Sequence, residues 1–259
     1  MLSIQEIEKY YPEQLHHYKR FLVREYLQHK ILEIIFEGPY SEKLSFLGGT
    51  CLRIVHNQQR FSEDLDFDNF NLLEDEFGEI SDNISYQLGK LGYEVETKNI
   101  TKGAFHCYIR FPGLLFEQGL SGHVEEKILI QLDTEAQHFD FKPETPIINK
   151  FDVFTQIYAT PLDILLAQKF YAVLNRTRNK GRDFFDIIFI MGKEVKPNME
   201  YLNLKLGVTN YAQLKELILD KCRALDMNEM AKDVAPFLFH AKDTKMVMLF
   251  PEYITSNWF

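Results

Sequence analysis

The chain has 259 residues, of which 46% are hydrophobic and 26% are charged, and its formal net charge is −9. A chain of this length holds one large domain or two small ones around a buried core, and its composition is ordinary for a soluble globular protein. The negative charge argues against indiscriminate nucleic-acid binding, which depends on lysine and arginine, but it is compatible with a local basic patch.

The spacing of metal-binding residue types argues against a zinc site. The three cysteines, Cys51, Cys107 and Cys222, are scattered without a Cys-x-x-Cys pair, which disfavours a disulfide framework or a structural zinc. The histidines form no His-x-x-x-His pair with a glutamate between them, so a zinc hydrolase is not indicated. The N-terminus has no basic region followed by an apolar run, and no apolar stretch reaches the length of a membrane span. We therefore expect a cytoplasmic protein without a membrane partner.

The first part of the chain predicts two helices. Ser3 followed by Glu6 matches a capping box, which predicts a short helix to about Tyr11. Apolar residues recur at helical spacing from Leu15 onward and predict a long amphipathic helix that ends near Phe36, before a Gly-Pro pair. Its apolar face is interpreted as a core-packing face.

The next segment combines a glycine turn with paired carboxylates. We predict a strand over 44–47, a Gly48-Gly49-Thr50 turn, a helix over 51–56 and a strand that carries Asp64 and Asp66. Residues two apart in a strand point to the same side, and hard carboxylate oxygens suit Mg²⁺ held together with substrate phosphates. The glycines allow close approach to a ligand, and the free N–H groups of the following helix attract anions. Taken separately, an Asp-x-Asp is also common in solvated turns, whereas the combination predicts a nucleoside triphosphate site.

The same residues resemble a known family. Gly48-Gly49-Thr50-x-Leu52, followed by Arg60-Phe61-Ser62-x-Asp64-Leu65-Asp66-Phe67, resembles the first motif of the AbiEii/AbiGii toxin family. That family is a branch of the DNA polymerase β-like nucleotidyltransferase superfamily, and the resemblance extends over about residues 40–190. It implies metal binding by Asp64 and Asp66. It also implies nucleotide binding by Gly48, Gly49, Thr50, Arg60 and Ser62.

A helix and three strands are predicted after this motif. The helix covers 74–91 and the strands cover 93–98, 105–111 and 126–134. This order predicts an α/β (α+β) fold, with a nucleotidyltransferase-type mixed sheet, flanking helices and a helical C-terminal half.

The last of these strands ends on Asp133. Two-metal phosphoryl transfer uses a third carboxylate to complete a metal site or to accept the proton of the attacking hydroxyl. Asp133 is our candidate for this catalytic and metal-binding role, and it also lies where the superfamily places its third aspartate. A polar strand end is the alternative interpretation.

A strong helix start, Thr160-Pro161-Leu162-Asp163, opens the second half, with Thr160 as the expected cap. The helix is predicted to run to Asn175 and carries Lys169 within an apolar stripe. Lys169 either snorkels at the edge of that stripe or reaches the phosphates of a nucleotide.

The segments 166–170 and 182–186 resemble the later motifs of the family. There a helix lysine and an Arg-Asp pair belong to the active site, which implies catalytic roles for Lys169 and Asp183 and nucleotide binding by Lys169. Asp186 shares a helix face with Asp183, and the residues alone do not decide between the two.

The most basic run of the chain lies between these segments, with Arg176, Arg178, Lys180 and Arg182. A charge run is usually a solvated loop, but in an acidic protein this one is also a candidate RNA contact.

Helices are expected over 211–225, after a Thr209 cap, and over 228–234, with a short strand or an ordered tail over 244–259. We expect a nucleotidyltransferase core with N-terminal helices at 1–155 and a helical region at 156–259 that completes the active site.

These residues predict a Mg²⁺-dependent nucleotidyltransferase that transfers a nucleotide from a nucleoside triphosphate to an acceptor. The resemblance implies an RNA acceptor, the tRNA 3′ end, and a toxin of a bacterial type IV toxin–antitoxin or abortive-infection system with an AbiEi-like antitoxin encoded nearby. The alternatives are transfer to a small molecule such as an aminoglycoside, transfer to a protein, or a non-catalytic nucleotide-binding module.

Overall fold

The computed structural model describes residues 2–259 and divides them into two compact units. The first unit comprises residues 2–57 and 61–159, and the second comprises 58–60 and 160–259. The sequence-based boundary between 155 and 156 lies four residues before the start of the second unit at 160, and the inclusion of 58–60 in the second unit has no counterpart in the prediction.

The first unit has an α/β architecture. Its helices are α1 (Ile4–Glu8), α2 (Lys19–Phe36), α3 (Gly48–Ile54), α4 (Glu74–Lys90) and α5 (Leu114–Glu117), with 3₁₀ turns at Glu13–Tyr18 and Ser41–Lys43. Its strands are β1 (Leu44–Leu47), β2 (Leu65–Asn69), β3 (Glu96–Ile100), β4 (Phe105–Phe111), β5 (Ile128–Glu135), β6 (Ile147–Lys150) and β7 (Val153–Gln156). Strands β1 to β5 form one mixed sheet in the order β1-β2-β5-β4-β3, in which β2 and β5 pair in parallel, while β6 and β7 pair separately. The predicted mixed sheet with flanking helices is confirmed.

The sheet has one apolar and one polar face. In β5, Ile128, Ile130 and Leu132 are buried, whereas the intervening side chains are partly or fully exposed. Helices α2 and α4 pack on the apolar side. The other side, called the open face below, carries Asp66, His106, Tyr108, Arg110, Gln131 and Asp133.

The N-terminal helices confirm one prediction and correct another. Ser3 and Glu6 form the expected capping box, with the Ser3 amide donating to the Glu6 carboxylate over 2.8 Å. Helix α2 is not simply amphipathic, because it contacts α1, α4, β5 and β7 and is buried on most sides. Polar residues such as Glu25 and Gln28 are therefore enclosed within it.

The second unit is helical. Its helices are α6 (Leu162–Asn175), α7 (Gly181–Met191), α8 (Met199–Leu206), α9 (Tyr211–Arg223), α10 (Met227–Val234), α11 (Thr244–Met248) and α12 (Phe250–Ser256). Short 3₁₀ turns lie at Ala235–Phe237 and Ala241–Asp243. Across residues 2–259, none of the helices is both long enough and apolar enough to cross a bilayer.

Three sequence-based expectations in this unit are wrong. The cap of α6 is Pro161 rather than Thr160, and the cap of α9 is Asn210 rather than Thr209. Of the two alternatives for 244–259, the short strand is wrong, since helices occupy Thr244–Met248 and Phe250–Ser256; Pro251 lies in the first turn of α12, where its missing N–H is not needed.

Candidate active site

The carboxylate pair, Asp64 and Asp66, lies at the start of β2, and Asp66 is on the open face. Leu65 and Phe67 are buried, 0% and 2% exposed, so the intervening Asp66 points to the opposite side, as the alternation predicted. Asp64 immediately precedes the strand. In the parallel pairing of β2 with β5, Asp66 is the direct neighbour of Asp133. Two of the three predicted carboxylates therefore lie side by side on adjacent strands of one sheet face.

The glycine turn packs against the same carboxylate. Gly48 has a φ of +80°, and a Cβ added there would lie 2.4 Å from Oδ2 of Asp66 and 3.1 Å from its Cβ and Cγ. Glycine is required here for both its backbone conformation and its missing side chain. Helix α3 begins at Gly48 and not at residue 51 as predicted, so Gly48, Gly49 and Thr50 form its first turn. Amide groups in a first helical turn have no acceptor within the helix and are suited to phosphate oxygens.

Two buried side chains fix the segment before Asp66. Thr50 is 0% exposed, and its hydroxyl donates to the main-chain carbonyl of Asp64. Gln28 of α2 is 1% exposed and donates to the carbonyls of Ser62 and Glu63, over 3.2 and 2.9 Å. Nucleotide contacts by Thr50 and Ser62 stay predictions, whereas in this structure the Thr50 hydroxyl positions the chain at Asp64. Gln28 was not found from the sequence, because nothing local distinguishes it from other polar residues of a long helix.

Asp133 is held by two neighbours on the open face. Its carboxylate lies 2.7 Å from Nδ1 of His106 and accepts from the Gln131 side-chain amide over 2.8 and 2.9 Å. His106 is its direct neighbour on β4. His106 was not identified as a site residue from the sequence, although the predicted strand over 105–111 placed it, Tyr108 and Arg110 on one side. The pairing with Asp133 depends on strand register, which joins residues far apart in the chain.

The donor set fits Mg²⁺ bound together with a substrate. Within residues 2–259, no three His, Cys, Asp or Glu side chains stand close enough to form a metal cluster by themselves. Mg²⁺ usually takes one or two protein carboxylates and completes its shell with water and substrate phosphates. Asp66 and Asp133, side by side on the open face, and Asp64, which precedes β2, carry hard oxygen donors of this kind, and metal binding by them stays a prediction.

A buried ion cluster connects the last turn of α3 to α2 and β6. Arg53, in the last turn of α3, donates to both carboxylate oxygens of Glu25 over 2.9 and 3.2 Å, and Lys150 donates to the same carboxylate over 2.7 Å. Burial alone would raise the pKa of Glu25, but these two cations outweigh it and lower the pKa to about 2. Burial also lowers the pKa of His29, one turn along α2, to about 4.

The second unit contains its own ion cluster. Lys169 of α6 donates to Asp183 over 3.0 Å and lies 2.8 Å from Asp186, both on α7. Asp186 is 0% exposed and also accepts from Gln58 and twice from Arg60, each over 2.7 Å. Burial opposes ionisation of Asp186, yet Arg60 and Lys169 lower its pKa to about 2.

These contacts assign partners to several predicted residues. Lys169 does not snorkel, because its ammonium is held between two carboxylates. Arg60 is 1% exposed and forms a bidentate pair with Asp186, which sequence reasoning did not identify. Asp183 also pairs with Arg176, over 2.9 Å. Nucleotide or catalytic roles for Lys169, Arg60 and Asp183 stay predictions.

The basic run forms a fixed loop before α7. Asn179 donates to the carbonyl of Val173 over 2.6 Å, and the Gly181 main-chain N–H donates to Asp233 over 2.9 Å, at a position where an added Cβ would clash with the Met230 carbonyl. Arg178 and Lys180 are exposed on this loop. Arg182 instead lies over the ring of Phe237, with 4.4 Å from its guanidinium carbon to the ring centroid. Exposed members of the run are available to solvent anions, and RNA contact by them stays a prediction.

A family model and solved structures match this chain. A family model described as the nucleotidyl transferase AbiEii toxin of a type IV toxin–antitoxin system matches residues 30–246. None of the curated proteins matches the sequence.

Two solved structures have similar folds. JHP933 from Helicobacter pylori aligns with a TM-score of 0.53 and 17% identity, over 91% of this chain and 91% of its own. A second H. pylori protein, described as a candidate nucleotidyltransferase, aligns with a TM-score of 0.52 and 16% identity, over 91% of this chain and 94% of its own. At these identities the two structures support the fold alone.

Proposed function

The chain belongs to the AbiEii family of nucleotidyl transferase toxins of type IV toxin–antitoxin systems, and from that premise we propose that it transfers a nucleotide from a nucleoside triphosphate to the 3′ end of an RNA in a Mg²⁺-dependent reaction. The observation that carries this proposal is the placement of Asp66 beside Asp133 on the open face, with Gly48 packed directly against the Asp66 carboxylate.

The first unit supplies the groups that the reaction needs. The amides of Gly48, Gly49 and Thr50 bind triphosphate oxygens at the start of α3. Asp64 and Asp66 would hold Mg²⁺, which would supply positive charge to neutralise the triphosphate and to favour departure of pyrophosphate. Support comes from the close contact of Gly48 with Asp66 and from the buried hydrogen bonds of Thr50 and Gln28 that fix the Asp64 segment.

Asp133 acts on the acceptor. It accepts the proton from the attacking hydroxyl as that oxygen forms a bond to the α-phosphorus, and the bond to the pyrophosphate oxygen breaks. The contacts from His106 and Gln131 support this role, because they hold the carboxylate in one orientation beside Asp66. Asp133 would also share in metal binding.

Roles for Lys169, Asp183 and the basic run 176–182 rest on their motif resemblance. In the second unit the Lys169 charge is balanced by Asp183 and Asp186, so a phosphate that approached Lys169 would compete with two carboxylates. Lys169→Met in a transfer assay tests the catalytic role directly.

Biologically, we propose a toxin that modifies the tRNA 3′ end, with an AbiEi-like antitoxin encoded by a neighbouring gene. The support is the family description, which names a type IV toxin–antitoxin system. Addition of a nucleotide to the acceptor end would prevent aminoacylation and so stop translation.

The test is a transfer assay with each α-labelled nucleoside triphosphate, Mg²⁺ and total tRNA. The wild type is compared with the double variant Asp64→Asn/Asp66→Asn and with Asp140→Asn, which changes an exposed carboxylate outside the site. We expect label in RNA with the wild type and Asp140→Asn, and none with the double variant. Label in RNA from the double variant, or none from the wild type, would overturn the proposal.

Transfer to a small molecule is the second candidate. An aminoglycoside offered in place of tRNA would then become labelled, and substitution of Arg178 would have no effect. Mg²⁺-dependent triphosphate binding without transfer to any acceptor would instead indicate a nucleotide-binding module.

A further inference from the structure

Charges on the open face of the first unit are separated along the sheet. Carboxylates occupy the neighbouring strands β2 and β5, at Asp66, Asp68, Asp133 and Glu135. The next two strands, β4 and β3, carry His106, Tyr108, Arg110 and Lys98 on the same face, together with Glu96, which pairs with Lys127. In the strand order β2-β5-β4-β3, the proposed metal site is therefore followed by an aromatic and cationic surface.

Tyr108 and its neighbours form the centre of that surface. The Arg110 guanidinium carbon lies 5.5 Å from the centroid of the Tyr108 ring, and Lys98 is the direct neighbour of Tyr108 on β3. Tyr108 and Arg110 are partly exposed and Lys98 is exposed. Across the described chain, neither Lys98 nor Arg110 forms an ion pair, and Glu96, the direct neighbour of Arg110 on β3, instead accepts from Lys127 over 2.9 Å.

We propose that this surface, Lys98, His106, Tyr108 and Arg110, binds the single-stranded 3′ end of the RNA acceptor and directs its hydroxyl toward Asp133. The inference rests on the proposed nucleotidyl transfer and extends it to the place where the acceptor binds. It differs from contact through the basic run at 176–182.

Side-chain chemistry selects the occupant. A partly exposed tyrosine flanked by an arginine and a lysine offers a stacking surface for an unpaired base and cations for its phosphates. A folded RNA duplex would hide its bases from such a ring, so a single-stranded end is the better partner.

The distance from the reacting groups also fits. Tyr108 lies two strands across and two residues along from Asp66, about 12 Å away at the usual strand spacing and rise per residue. A nucleotide next to the reacting 3′ end can therefore reach the ring. Continuity with Asp133 is direct, because His106 on the same strand contacts its carboxylate over 2.7 Å.

The test measures binding of a fluorescein-labelled single-stranded RNA of about ten nucleotides with a free 3′ hydroxyl. We expect Tyr108→Ala to weaken binding by about 10-fold, through loss of one stacked base, while Tyr108→Phe retains binding. Arg110→Ala should weaken binding and reduce the slope of log K against log salt by about 0.7.

A matched control lies on α4, which packs on the opposite side of the sheet. Tyr86 is 63% exposed, with the Lys90 ammonium 5.3 Å from its ring centroid, so Tyr86→Ala removes a similar aromatic–cation pair elsewhere. It should leave RNA binding unchanged. Mg²⁺-dependent triphosphate binding should be the same in all variants, which also shows that they fold.

The inference is overturned if Tyr108→Ala and Arg110→Ala bind RNA as the wild type does, or if only Arg178→Ala and Lys180→Ala weaken binding. It is also overturned if the wild type binds triphosphate but no RNA. RNA binding that depends on Tyr108 in a protein that binds no triphosphate would support the surface and contradict the proposed reaction.

Discussion

Replacement of Gly48 by alanine should disable the proposed metal site by displacing Asp66. The added Cβ would lie 2.4 Å from Oδ2 of Asp66, whereas real Cβ atoms essentially never approach a heavy atom within 3.0 Å, so the oxygen must move by at least 0.6 Å. Rotation of the carboxylate moves Oδ2 away but leaves Cβ and Cγ of Asp66 only 3.1 Å from the added Cβ, a separation tighter than nine in ten real Cβ contacts, so Asp66 must also shift by a few tenths of an ångström. A displacement of about 1 Å of a reacting group can reduce catalysis by about 100-fold.

The backbone contribution can be separated with a second glycine. Gly92 has a φ of +91°, and its added Cβ would meet nothing within 4 Å. Both Gly48→Ala and Gly92→Ala should lose about 1–2 kcal/mol of stability from the left-handed backbone, measured by urea unfolding. Only Gly48→Ala should also lose about 100-fold in kcat of the labelled transfer assay. Equal kcat values for the two variants would refute the inference that Gly48 sets the position of Asp66.

Three further predictions concern the buried ion clusters. Glu25→Gln leaves Arg53 buried without its carboxylate, so the free energy of unfolding of the first unit should fall by about 3 kcal/mol; a loss under 1 kcal/mol would contradict this. Asp186→Asn removes the carboxylate that pairs with Arg60, so the second unit should be similarly destabilised in thermal unfolding; an unchanged melting temperature would argue against it. Burial lowers the pKa of His29 from 6.5 to about 4 in the folded state. Between these two pH values the unfolded state binds a proton at His29 that the folded state does not bind. The free energy of unfolding should therefore fall by about 2 kcal/mol from about pH 7.5 to about pH 5. His29→Gln should flatten that slope in urea titrations, and an unchanged slope would exclude His29 as its source.

Local patterns predicted the parts of the site that lie within one strand or turn. Alternation of Leu65 and Phe67 with the aspartates was sufficient to place Asp66 on the solvent side of β2, because a strand has a side-chain period of two. Ser3 and Glu6 likewise predicted their own capping box from a spacing of three residues.

Contacts between distant segments were beyond such patterns. The neighbour relation of Asp66 and Asp133 depends on parallel register between residues 67 positions apart, and no local feature encodes it. The ion pairs of Glu25 could not be predicted from local patterns either, since its partners come from α3 and β6. Lys169 was recognised as unusual in an apolar stripe, but its pairing with Asp183 and Asp186 needs the packing of α6 on α7.

Two helices, α9 and α3, begin at residues other than those predicted, and each difference has a local cause. The Asn210 side-chain oxygen accepts from the main-chain N–H of Gln213, so Asn210 is the cap of α9, although Thr209 one residue earlier has the same capping chemistry. Helix α3 gains three residues at its start because Gly48 supplies the positive φ that the sharp turn from β1 requires.

Mg²⁺-dependent triphosphate binding is the most direct measurement of the central claim that the carboxylates of β2 and β5 form one metal–nucleotide site. It can be measured by isothermal titration for the wild type, Asp66→Asn, Asp133→Asn and the exposed control Asp140→Asn. Loss of one charge-assisted ligand corresponds to about 10-fold weaker binding or more, so both site variants should lose at least that much in Mg²⁺ while Asp140→Asn does not. Mg²⁺-dependent binding of equal strength in Asp66→Asn and the wild type would contradict the claim.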